Sequence, residues 1–271
     1  LLTIKLTAIQ HFMTFLMMLD TCDYKTQYVL HLADDALVLG QRLSGWCGHG
    51  PILEQDIAIS NISLDLIGLA RQYYQYAAEL IGGDATEDSL AYFRESREFY
   101  NHLIVEQPNG DWGDTMSRQF YFDTFHFFQL QHLTRSEDLR LREIATKALK
   151  ETTYHAQFSA EWIIRLGDGT KESRKRVQKS ITHHFPYALE FFETTELDKQ
   201  AHDLNLGPDV RELKDKWIDK VREVLNIATL DDINSDAVAK KGGKRGIHSE
   251  EHGLILAEMQ SVARSYPDAK W

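Results

Sequence analysis

Asp123 and His126 stand three residues apart, and Glu151 and His155 stand four apart. On a helix either spacing brings a carboxylate and an imidazole to one face. With Asp35 and Asp65 added, the set is raw material for a carboxylate-bridged di-metal centre inside a bundle of long helices. Such a centre draws one Glu from each of two helices and a Glu-x-x-His pair from each of the other two. The carboxylates neutralise and bridge the metals, and each imidazole supplies a nitrogen.

The ligands do not complete that template. The first helix offers Asp34 and Asp35, with His31 four residues before Asp35. The second offers Asp65, but Gly68 stands three later, and no histidine occurs between His49 and His102. The third offers Asp123 and His126. On the fourth, Thr152 stands where the carboxylate of a Glu-x-x-His pair belongs. Asp35, Asp65, Asp123, His126, Glu151 and His155 therefore read either as a leftover metal site or as a buried polar network. Buried charges need partners in either case, and structural ion networks imitate functional clusters. The network is the preferred reading, with no metal or other cofactor expected on this chain.

Other motifs say less. Cys47 and His49 sit two apart beside Trp46, but no second pair accompanies them, and a turn packed under the Trp accounts for them. His183-His184 is given no role. The Gly-rich loop from Ala239 to Gly246 carries Lys241, Lys244 and Arg245. Backbone amides and cations both favour anions, so this loop reads as an anion site, a partner contact or a solvated turn.

The elements that must position these residues are helices. Ile59, Ile62, Leu66, Leu69, Tyr73, Tyr76 and Leu80 alternate at spacings of three and four, which marks one helical stripe between Ile52 and Ile81. Leu141, Ala145, Ala148, Thr152, His155, Ser159, Trp162 and Leu166 repeat the pattern. Thr115 to Leu133 is aromatic on several sides, as for a helix buried on more than one face. Further helices are expected at Lys171–Glu193, kinked by Pro186, at Val210–Ile227 and at Glu250–Ser265. The chain has only five prolines, and Gly-rich or Pro-containing breaks fall between the helices. Long helices joined by short turns must cover one another's apolar stripes, so the fold class is an all-α bundle with additional C-terminal helices.

The chain has 271 residues, 43% hydrophobic and 26% charged, with a net charge of −11. That acidity disfavours nucleic acid, and two cysteines make no disulfide framework. The apolar run Phe12–Leu19 is too short to span a bilayer. A cytoplasmic setting without membrane contact is expected.

A set of segments, in order, resembles the C-type subunit of the bacterial phenylacetyl-CoA epoxidase family: Trp46 to Glu54, Asn61 to Arg71, Val105 to Gly110, Lys150 to His155, Gly242 to His248 and Leu256 to Gln260. The likeness runs from about Tyr28 to Trp271. Residues 1–21 lie outside it as an extension, and 22–271 read as one domain. The resemblance implies a ferritin-like fold and a non-catalytic role. The chain would pair, as a hetero-oligomer, with the A-type catalytic subunit, which holds the di-iron centre. Together they would turn phenylacetyl-CoA into a ring epoxide with O2 and electrons from a reductase. It further implies contact of this chain with the CoA thioester at Glu98, Phe99, Tyr100 and Asn101, with Lys199 as a second contact. Tyr100 and Lys199 depart from the family pattern, and helix packing is the competing reading for Phe99 and Tyr100. An independent di-metal oxidase and a ferritin-like binding module are the alternatives to this role.

Overall fold

The computed structural model describes residues 22–234, 236–267 and 269; the apolar run Phe12–Leu19 lies outside them. Ten α-helices and no strand occur among the described residues: α1 Tyr24–Ser44, α2 Leu53–Ile81, α3 Glu87–Tyr92, α4 Leu103–Glu106, α5 Trp112–Leu133, α6 Leu139–Gly167, α7 Lys171–Ala188, α8 Glu196–Asp203, α9 Val210–Ile227 and α10 Glu250–Ser265. The chain is all-α, consistent with a ferritin-like bundle.

Side-chain caps fix where several of these helices start. Asp23, Asp111, Asp138, Thr170, Thr195 and Asp209 each accept a hydrogen bond from a backbone amide in the first turn of the helix that follows. Asp111 and Thr170 belong to reciprocal capping boxes with Asp114 and Ser173. The expected bounds of α9 and α10 match those observed. The helix expected through Glu193 instead stops at Ala188 and continues as a 3-10 turn over Leu189–Phe192. Pro186 offers no amide to the turn before it, and the α-helix gives out two residues later.

Two helix pairs make the bundle. α1 packs most extensively on α2, and α5 on α6. Ser63 on α2 donates to the Gly40 carbonyl of α1 at 2.8 Å, where Ile67 and Ser63 come close enough to exclude a larger residue. Every residue of α1 from Tyr28 to Gly40 is buried, and so is every residue of α5 from Thr115 to His126. Such helices must be enclosed on all sides. α8, α10 and the short α4 close over α1, while α7 and α9 close over α5. An aromatic layer joins them: Phe125 stacks on Phe191 at 4.3 Å, and buried Trp217 donates its Nε1–H to the Tyr121 carbonyl at 3.0 Å.

α2 is different. Its inner stripe is buried as the spacing requires, with Leu80 half-buried. Its opposite face exposes Leu53 by 71%, Ile57 by 53% and Leu64 by 65%. Gly68 follows Leu64 by one turn on that face, and a Cβ there would meet nothing within 4 Å. No described helix is long and apolar enough to cross a membrane.

Candidate functional site

The six template residues lie within electrostatic reach of one another, but only His155 and Asp65 are in direct contact. His155 on α6 sets its Nε2 3.0 Å from Asp65 Oδ2 on α2. Asp123 on α5 accepts from Gln119 Nε2 at 2.6 Å and from Ser159 Oγ at 2.8 Å. Burial pushes its carboxyl up to about 6, against the pull of His155, Ser159 and Gln119. Burial, and then His155, bring His126 down to about 3, so it is a neutral imidazole with an unpartnered Nδ1. Glu151 lies nearer the surface, raised by burial and by Asp65. Two groups of three or more ligand-type residues place their donor atoms within 4.8 Å of one another among the described residues: His31 with Asp35 and His102, and Glu106 with His248 and His252. Of the six, only Asp35 belongs to either. Amide and hydroxyl donors thus occupy the Asp123 carboxylate, the oxygen ligand that α5 would offer to a di-metal centre.

The dense polar centre lies where α1 meets the irregular segment 94–106. Asp34 is fully buried against Arg94, whose guanidinium reaches both carboxylate oxygens. Tyr74 donates its hydroxyl to Asp34 at 2.6 Å, and the Tyr100 amide donates at 2.8 Å. One residue on, Asp35 accepts the His102 amide at 2.8 Å and His102 Nδ1–H at 2.7 Å. Burial pushes Asp35 up, but the His102 and His31 imidazoles outweigh it and hold the carboxyl below its ordinary value. His31 donates Nδ1–H to the Tyr100 carbonyl at 2.7 Å, and its Nε2 lies 4.0 Å from Asp35 Oδ2. Burial lowers His31, against the pull of Asp35.

Two more buried carboxylates fasten the C-terminal segment. Glu106 accepts from Asn101 Nδ2 at 3.0 Å, the Ser249 amide at 2.8 Å, Ser249 Oγ at 2.6 Å and His248 Nδ1 at 2.5 Å. His248 Nε2 faces the Phe99 carbonyl at 2.9 Å. Both ring nitrogens thus meet acceptors, which favours the imidazolium form of His248. Glu190 accepts the amides of Gly242, Gly243 and Leu103 at 2.7, 2.9 and 2.7 Å. Burial pushes Glu190 up to about 7, opposed by those three donors.

The amides and cations of the Gly-rich loop already have partners within this chain. The anion at its amides is Glu190. Lys244 is buried against Asp198 at 2.9 Å, and Lys241 and Arg245 both pair with Glu193. The glycines serve close packing: a Cβ on Gly243 would fall on the Asn101 carbonyl, and Gly246, at φ +71°, sits on the Arg97 carbonyl.

The segment with the expected thioester contacts is partly sealed. Phe99 lies beneath the Arg94 guanidinium, 4.0 Å from its ring centroid, and Asn101 is turned onto Glu106; both are 0% exposed. Both side chains are thus turned into the interior of this chain. Glu98, Tyr100 and Lys199 keep exposed surface, and Lys199 sits beside Glu196 at 3.5 Å. Trp46 packs edge-on against Trp112 and donates to Thr115 Oγ1 at 2.9 Å, while Cys47 and His49 stay exposed. His102, Arg94 and Glu190 carry no signal in the sequence that marks them, and Glu106 is marked only by the family resemblance of Val105 to Gly110. They lie in short or irregular stretches without helical period, far in sequence from the residues they hold.

Comparison with known proteins gives two findings. The family described as phenylacetic acid catabolic protein matches residues 16–271. The protein described as the C-type subunit of 1,2-phenylacetyl-CoA epoxidase from Escherichia coli (strain K12) is 43% identical over 246 residues, covering 91% of this chain and 98% of that protein.

Proposed function

The chain belongs to the phenylacetic acid catabolic protein family, and we propose that within it the chain is the non-catalytic, C-type subunit of a phenylacetyl-CoA epoxidase. It pairs with the A-type catalytic subunit, holds that partner in shape, and leaves di-iron oxygen chemistry and most of the thioester binding to it. The pair works in the cytoplasm and converts phenylacetyl-CoA to its ring epoxide. Any contact of this chain with the thioester is made through Glu98, Tyr100 and Lys199.

The observation that carries the reading is the condition of the bundle's polar interior. Asp123 is bound by a glutamine and a serine, Asp65 is bound by His155, and Gly68 stands where α2 would need an imidazole. Two irons need several ionised carboxylates converging on them. The 43% identity to a protein described as the C-type component of the epoxidase supports the assignment, and the apolar outer face of α2 supports a protein partner.

Co-expression with a tagged catalytic subunit tests it. The expected result is a stable complex that epoxidises phenylacetyl-CoA, with two irons in the catalytic partner and no turnover by this chain alone. Two irons per chain in the isolated protein, with O2-dependent turnover lost in His126→Ala or His155→Ala, would replace this reading with an independent di-metal enzyme.

A further inference from the structure

We propose that His31, Asp35 and His102 form a binding site for one divalent transition-metal ion, at a place distinct from His126 and His155. Three features of the cluster carry this. All three side chains are buried, and their donor atoms lie within 4.8 Å of one another. His31 is oriented as a metal ligand is: its Nδ1–H is fixed on the Tyr100 carbonyl, which leaves the Nε2 lone pair toward Asp35. The third donor, His102 Nδ1, lies 2.7 Å from Asp35 Oδ2, the same carboxylate oxygen that His31 Nε2 faces.

Charge points the same way. The ionic partners of Asp35 among the described residues are the two imidazoles. The nearby cations are already paired, Arg94 with Asp34 and Lys244 with Asp198. A divalent ion held between the three side chains would add positive charge beside this buried carboxylate.

Two nitrogens and one oxygen suit Zn2+, Co2+ or Fe2+ better than Mg2+ or Ca2+. Donors about 2 Å from an ion in tetrahedral geometry stand roughly 3.3 Å apart. The His102–Asp35 separation of 2.7 Å and the His31–Asp35 separation of 4.0 Å bracket that spacing. Small side-chain shifts would admit the ion.

The full chain, stripped with chelator, is titrated with Co2+ while visible absorption and retained metal are measured. The expected result is one Co2+ per chain with the intense bands of a four-coordinate ion. His31→Gln and Asp35→Asn, checked for folding by circular dichroism, weaken binding about 100-fold, while His126→Gln and His155→Gln leave it unchanged. Loss of all Co2+ from the wild-type chain on desalting would overturn the proposal. So would equal affinity in His31→Gln and Asp35→Asn. Neither outcome bears on the pairing with the catalytic partner.

Discussion

Asp34 and Arg94 are both 0% exposed, and each depends on the other for its charge. A buried ion pair of this kind is weak evidence of net stability, yet breaking one side of it is expensive. Asp34→Ala leaves the guanidinium uncompensated and removes the acceptor of the Tyr74 hydroxyl and the Tyr100 amide. The expected loss is about 3–5 kcal/mol, read as a lower urea midpoint at unchanged slope. Adding Arg94→Met to Asp34→Ala should return part of that loss, because the orphaned charge is then gone. A double variant as unstable as the single would show that the hydrogen bonds of Asp34, rather than its charge, dominate.

α10 is held to the bundle by the pair formed by Glu106 and His248, next to its N-cap Ser249. Burial pulls His248 down, but the Glu106 carboxylate and the Phe99 carbonyl outweigh it and hold its pKa above the usual histidine range. His252, stacked on that ring at 4.1 Å, is taken down to about 3 by burial and by the charge of His248. A folded-state pKa above the unfolded value of about 6.5 adds stability that is complete below that pH and fades as pH climbs through the folded value. The contribution of His248 to the unfolding free energy should therefore fall as pH rises above about 6.5. The fall should vanish in His248→Gln, which is less stable than wild type at pH 6 and closer to it at pH 9. Parallel pH profiles for the two proteins would exclude His248 as the source. The extent of α10 was legible in the sequence, as were the stripes of α2 and α6 that bury Leu66 and Ala148. What fastens these helices was not. Glu106 and His248 are 142 residues apart, and neither belongs to an apolar repeat. Periodicity records which face of a helix is inward, not which polar group waits there. The same limit hid His102, while Asp123 stands out because its partner residues lie on long, regular helices.

At the scale of the whole molecule, the outer face of α2 is the feature that a solitary bundle does not explain. Leu53, Ile57, Leu64 and Gly68 follow one another at spacings of four, seven and four, which puts them on one side of the helix. Covering a large aliphatic side chain removes about 1.5–3 kcal/mol of unfavourable exposure. Gly68 among them lets another backbone approach closely. A net charge of −11 keeps the chain dispersed but supplies no specific contact. The catalytic partner of the proposed complex is what this face suits. Leu64→Lys should leave the stability of the isolated chain within about 0.5 kcal/mol of wild type, since Leu64 is 65% exposed and contributes little to the core. It should weaken binding to the catalytic partner by at least about tenfold, equivalent to about 1.4 kcal/mol, whereas Ile227→Lys, an exposed apolar position on α9, should not. Pull-down and titration with the purified partner give both numbers. If Leu64→Lys binds as tightly as wild type while Ile227→Lys does not, the partner sits over α9 and the face of α2 needs another explanation.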